Sequence, residues 1–206
     1  MIDTYDKLTI EKFYEIEKVM KEDLEDIDIQ VKLISILTDK DEEEILNTKL
    51  DKYEEYVSGL NFLLNKPIGK DRYINSIKLN GVKYNLLKTP EKMTAGQFID
   101  FQSYIENNLG IEYTISTFLI PEGKKYGEYD VVPIIEDIRK YMDIQTAYNI
   151  RFFFRKKFLN TIKSFLIYLD WMTKNRKLPK EQQEKMKMVR NQIKQLLSSL
   201  NGNGNI

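Results

Sequence analysis

The chain has 206 residues, 42% of them apolar and 31% charged, which is room for one domain or two small ones of a globular, soluble protein rather than a disordered one. It contains no cysteine and no histidine. That excludes disulfides, thiol nucleophiles, Cys/His zinc sites, histidine-ligated haem and every Ser-His or Cys-His relay, and leaves Asp, Glu, Lys, Tyr, Ser or Thr to carry any catalysis.

The formal net charge of zero conceals a gradient. Residues 1–60 hold 18 acidic and 8 basic side chains, residues 61–139 hold 10 of each, and residues 140–206 hold 4 acidic and 14 basic. Ends of opposite sign can pair head to tail, within one molecule or between copies. Residues 1–12 alternate charge and hydrophobe without an apolar stretch, so no secretory leader is expected. The most apolar stretch, residues 152–172, is interrupted by Arg155, Lys156, Lys157, Lys163 and Asp170, which argues against a membrane span.

From the N-terminus, the first feature is one half of an internal repeat. Lys7-Leu8-Thr9-Ile10-Glu11-Lys12-Phe13-Tyr14-Glu15-Ile16 parallels Lys92-Met93-Thr94-Ala95-Gly96-Gln97-Phe98-Ile99-Asp100-Phe101 at an offset of 85. Phe13, Ile16, Val19 and Met20 map onto Phe98, Phe101, Tyr104 and Ile105, and this spacing traces one face of a helix. Thr9 and Thr94 stand at the N-cap positions, and Gln97 completes a capping box in the second copy. The parallel continues from Ile29-Gln30-Val31-Lys32-Leu33-Ile34-Ser35-Ile36-Leu37 to Ile111-Glu112-Tyr113-Thr114-Ile115-Ser116-Thr117-Phe118-Leu119, now at an offset of 82.

Asp39, Asp41 and Glu43 resemble the start of a calcium loop, but Glu44 stands where that loop needs glycine and Leu50 where it needs a bidentate glutamate. These acids suit a helix N-terminus instead. The cluster Glu22, Asp23, Glu25, Asp26 and Asp28 reads as a solvated connector, and a further helix is expected over residues 49–64.

Asn80-Gly81 between Ser76-Ile77-Lys78-Leu79 and Val82-Lys83-Tyr84-Asn85-Leu86-Leu87 predicts a β-hairpin with a type I′ turn. A lone hairpin is marginal in water, so this one must pack on the helices or extend a sheet. Its edge, Ile77, Leu79, Val82 and Tyr84, is a candidate docking strand, or else a clip between the helical halves.

Gly123 and Gly127 lie in a loop that lacks the Gly-Lys-Ser/Thr run of a phosphate loop. Pro133 opens a short helix, and Asp143 caps a long one running to about Lys174. Its apolar face is Ile150, Phe153, Phe154, Phe158, Ile162, Phe165, Leu166, Leu169 and Met172. Arg151, Arg155, Lys156 and Lys157, interleaved with phenylalanines, are candidate nucleic-acid contacts, although the same rings also read as core. A break over residues 175–179 separates a last helix whose Met186, Val189, Ile193, Leu196 and Leu200 form a heptad seam. The first four of these are a second candidate partner surface. Residues 201–206 read as a loose tail.

The expected architecture is mainly α: a duplicated helical unit joined by one β-hairpin, with a C-terminal pair of long antiparallel helices. The segments are a first repeat at 1–64, a connector at 65–91, a second repeat at 92–160, a helical extension at 161–200 packed on the repeats, and the tail. One compact domain is expected. No catalytic, metal or cofactor set is expected.

Met93-Thr94-Ala95-Gly96-Gln97-Phe98-Ile99-Asp100, the preceding hairpin over 77–87, and Gln30-Val31-Lys32-Leu33-Ile34-Ser35-Ile36-Leu37-Thr38 with Glu44-Ile45 downstream resemble tail-assembly-chaperone-like proteins of tailed bacteriophages. The resemblance covers residues 7–160 and rests on packing motifs. It implies a non-enzymatic protein that holds a long, aggregation-prone virion protein such as the tape measure during assembly in the host cytoplasm. The basic C-terminal region has no counterpart in it. That leaves a permanent virion part as an alternative: a connector ring near the portal or neck, or packaged cargo. A ring would join the acidic and basic ends of neighbouring copies. Nucleic-acid binding by the basic third is the remaining alternative.

Overall fold

A computed structural model describes residues 1–174 and 179–202, with the side chains of Ile162, Phe165 and 192–202 outside the description. Nine α-helices occur among the described residues: α1 (Ile10–Val19), α2 (Asp26–Thr38), α3 (Glu42–Leu46), α4 (Leu50–Gly59), α5 (Ala95–Glu106), α6 (Ile111–Ser116), α7 (Val132–Tyr141), α8 (Ile144–Lys174) and α9 (Lys180–Gly202). Three short strands, β1 (Ser76–Leu79), β2 (Val82–Leu86) and β3 (Leu119–Pro121), form an antiparallel sheet in that order. The chain divides into two compact units, Met1–Phe153 and Phe154–Ile206. The boundary falls inside α8, seven residues before the expected end of the second repeat, because Ile144, Ala147 and Ile150 are buried with the first unit.

Side-chain caps mark the starts of α1, α5 and α8. Thr9 accepts from the Lys12 backbone N–H, and Thr94 accepts from that of Gln97 while the Gln97 side chain returns a bond to the Thr94 N–H. Asp143 receives the Thr146 N–H at 2.7 Å and starts α8. The two cap segments at Thr9 and Asp143 also pair as an antiparallel bridge: Ile10 N–H donates to Met142 O, and Ile144 N–H to Leu8 O. The starts of α1 and α8 are thereby fixed to each other. Leu8, Ile10, Met142 and Ile144 around this bridge are fully buried.

The Asn80-Gly81 turn has φ of 45° and 80°, the two positive values of a type I′ turn. Ile77 faces Tyr84 and Leu79 faces Val82 in the register. The sheet is larger than the single hairpin expected, because β3 adds to the far side of β2. That third strand is three residues long, too short for a clear alternating pattern, and it follows directly from the apolar end of α6.

The two repeat copies share a Thr-capped helix followed by a second helix, after which the first continues with α3 and the second with β3, and their environments differ. In α1, Phe13, Ile16 and Val19 are buried, and α1 packs on α2 and α7. In α5 the matching Phe98 and Ile105 are exposed, Phe101 and Tyr104 are half-buried, and Gln97 is the buried side chain. Met20, expected on the buried face of α1, is exposed.

In the second unit, α8 and α9 form the long C-terminal pair. Asp170 of α8 and Arg190 of α9 form an ion pair across it. Residues 201–202, expected in a loose tail, continue α9. Residues 175–178 of the expected break at 175–179, and residues 203–206 of the expected tail, lie outside the described residues.

Candidate interaction surfaces

The hairpin divides between surface and core. Leu79 and Tyr84 are 2% and 3% exposed, Ile77 is half-buried, and Val82 is exposed. Tyr84 donates to Asp137 Oδ2 at 3.0 Å, and Asn80 Nδ2 donates to Asp137 Oδ1 at 3.1 Å. One carboxylate of α7 thus holds both the hairpin tip and its central strand. Burial, reinforced by Asp137, pushes the Tyr84 phenol up to about 12. Since β2 lies between β1 and β3, a docking edge on the hairpin side is β1 alone. Leu79 and Tyr84 serve packing.

On the C-terminal helices Met186 is half-buried and Val189 exposed, while the Ile193 and Leu196 side chains lie outside the described residues. A different apolar patch occurs on α8: Ile167 is 71%, Tyr168 49% and Trp171 61% exposed. Arg151, Arg155, Lys156 and Lys157 are all exposed on α8. Of the rings between them, Phe153 and Phe154 are buried and Phe152 is exposed. The apolar face read from the sequence runs through Leu166, Leu169 and Met172 and leaves Ile167, Tyr168 and Trp171 outside it.

The most elaborate polar cluster in the first unit surrounds Glu112, a residue that is 1% exposed. Its Oε1 accepts from Arg139 Nη2 at 2.7 Å and Nε at 3.1 Å, and its Oε2 accepts from the Tyr14 hydroxyl at 2.7 Å. That hydroxyl in turn accepts the Ile111 N–H. Burial and the Glu112 carboxylate together hold the Tyr14 phenol proton well above its ordinary range. The cluster ties α1, α6 and α7 together, and its carboxylate is fully engaged in doing so. A signal for it was present: Glu112 is the one charged residue in the run 111–119.

Among the described residues, no group of three or more Asp or Glu side chains is placed to hold a metal ion. Asp39 instead ends α2 in the left-handed region and pairs with Lys12 at 2.6 Å, and Asp41 stands at the N-cap of α3. From the acidic connector, Glu22 pairs with Lys32 at 2.8 Å. No helix among the described residues is long and apolar enough to cross a membrane.

Two surfaces of the first unit remain apolar and open. One is α5, with Phe98 at 48%, Ile99 at 63% and Ile105 at 38% exposure. The other is a shallow groove of about 520 Å³ lined by Gln30 of α2 and by Leu50, Tyr53, Glu54, Val57, Ser58 and Asn61 from α4 onward. Beneath it, Tyr53 and Val57 pack on buried Val31, Ile34 and Ile45, and the Tyr53 hydroxyl donates to Gln30 Oε1 at 3.2 Å. Comparisons of the chain with protein-family models, with curated proteins and with solved structures give no match in any of the three.

Proposed function

We propose that this chain is a non-enzymatic protein-interaction protein of tailed-phage particle assembly that holds a helical segment of another virion protein on α5. The observation that supports this most is the contrast between the repeat copies. The face that α1 buries against α2 and α7 is present in α5 but left open at Phe98 and Ile105. An apolar helix face of this kind suits an amphipathic client helix with anchors at i, i+3 or i+4 and i+7. The resemblance of the Met93-to-Asp100 segment to tail-assembly-chaperone-like proteins points the same way, and a tape-measure, portal or neck protein is the client class. The test is the inventory of particles. A chaperone co-purifies with its client during assembly and is missing from finished particles by mass spectrometry. Failure of Phe98→Ser with Ile105→Ser to abolish co-purification would overturn the α5 assignment.

The charge gradient supports a second reading, a permanent ring or neck component in which neighbouring copies meet through opposite ends. It predicts that the chain is retained in finished particles at fixed copy number. The nucleic-acid reading gains less support, because two of the three rings within the Arg151–Lys157 segment are buried.

A further inference from the structure

We infer that the acidic groove on α4 receives the lysine-flanked apolar face of α8 from a second copy of this chain. The inference rests on the reading of the chain as an interaction protein and deepens it, using residues separate from the α5 client face.

The groove has an apolar floor, Leu50, Tyr53 and Val57, spaced 3 and 4 along α4. Leu50 is 72% exposed. Its surroundings carry more acid than base: Glu54 lines it, and Asp51 and Glu55 are exposed on the same helix, where Lys52 pairs with Glu55 at 2.7 Å. The segment 1–60 that contains it has 18 acidic against 8 basic side chains. The occupant must therefore be a helix with apolar residues at similar spacing and cations beside them.

Unit Phe154–Ile206 carries such a helix. Lys163, Ile167, Trp171 and Lys174 are spaced 4, 4 and 3 on α8, which puts them on one face, and all four are exposed. Two apolar anchors thus lie between two lysines. From Lys163 to Lys174 is about 16 Å at 1.5 Å per residue, close to the roughly 15 Å of α4. The unit as a whole has 12 basic and 3 acidic residues, the complement of the segment that bears the groove. The surfaces differ, so the contact is heterologous: any open assembly keeps one free groove and one free α8 face at its ends, and addition continues unless the rotation between copies closes a ring.

The test is sedimentation velocity of the full chain over a concentration series at about 50 mM and 500 mM salt, with the emission of Trp171, the single tryptophan, read in parallel. Association that grows with concentration, weakens at high salt and shifts the Trp171 emission to the blue is expected. Two variants, Leu50→Ser with Glu54→Lys and Lys163→Glu with Lys174→Glu, change exposed residues only, and their circular dichroism checks folding. Each alone weakens self-association by about tenfold or more, the equivalent of about 1.4 kcal/mol. Mixed, they form a one-to-one dimer, because one supplies an intact groove and the other an intact α8 face. A monomer at every concentration, a mixture that stays monomeric, or a blue-shifted Trp171 independent of concentration would each overturn the inference. Client capture that survives Phe98→Ser with Ile105→Ser while self-association behaves as expected would overturn the α5 assignment alone.

Discussion

The Tyr14 hydroxyl donates a 2.7 Å hydrogen bond to Glu112 Oε2, so a residue of the first helical repeat is anchored on a buried carboxylate of the second. Arg139 completes the arrangement from α7 with two donors to Oε1. Removing one partner of such a buried pair leaves an uncompensated charge, which costs about 3–5 kcal/mol when both groups are fully buried. Here the Arg139 side chain is 37% exposed, so Arg139→Ala is expected to cost about 2–3 kcal/mol by urea denaturation. Arg139→Met with Glu112→Leu costs less than the sum of the single changes, since both members of the pair are gone. Gly110→Ala acts on the same cluster, because a Cβ there would collide with the Glu112 carboxylate and lie 2.7 Å from the Tyr14 hydroxyl.

The helix caps carry a second prediction. Thr9→Ala and Thr94→Ala each remove one side-chain acceptor and are expected to cost about 1 kcal/mol. Gln97→Ala is worse than Thr94→Ala. Gln97 Nε2 also donates to Thr117 O at 2.9 Å in the buried interior, and that carbonyl would lose its donor. Equal effects of the two changes would contradict the tie between α5 and the end of α6.

The hairpin turn isolates a backbone effect. Gly81 has φ of 80°, and a Cβ added there meets nothing within 4 Å. Gly81→Ala therefore loses stability through the left-handed backbone alone, by about 1–2 kcal/mol. A crystal structure of the variant is expected to show unchanged packing.

Alkaline pH should unfold the first unit. Tyr84 and Tyr129 are each pushed up to about 12, mainly by burial, while in the unfolded chain tyrosines ionise near 10. Between those values the unfolded state binds fewer protons than the folded one, so stability is fully present below pH 10 and falls as pH rises toward 12. Thermal melts at pH 9, 10.5 and 11.5 should show a falling midpoint. Tyr84→Phe should flatten that fall, at the cost of the bond to Asp137.

The helix caps, the I′ turn and the helix order were legible because each depends on residues within a few positions of one another. The third strand and the Glu112 cluster were not. Leu119 reaches β2 across 33 residues, and Glu112 finds Arg139 and Tyr14 at separations of 27 and 98. The repeat was legible as a pattern, but Phe13 and Phe98 have the same place in it and opposite exposure. Periodicity states which face of a helix is apolar. What covers that face is decided by α2 and α7, which pack on α1, and at Phe13 by the Tyr5 and Tyr148 rings. The α8 patch was hidden for a related reason, since Leu169 is buried while neighbouring Ile167 and Trp171 are exposed.

The most direct measurement is photo-crosslinking from α5 during particle assembly. A benzophenone amino acid at Ile99, which is 63% exposed beside Phe98, would be activated before particles are complete, with the same probe at exposed Lys124 as the control. The account predicts a crosslink from position 99 to one long helical virion protein, weak or missing from position 124 and abolished by Phe98→Ser with Ile105→Ser. A crosslink pattern that is the same from both positions, or one that survives those two substitutions, would contradict it.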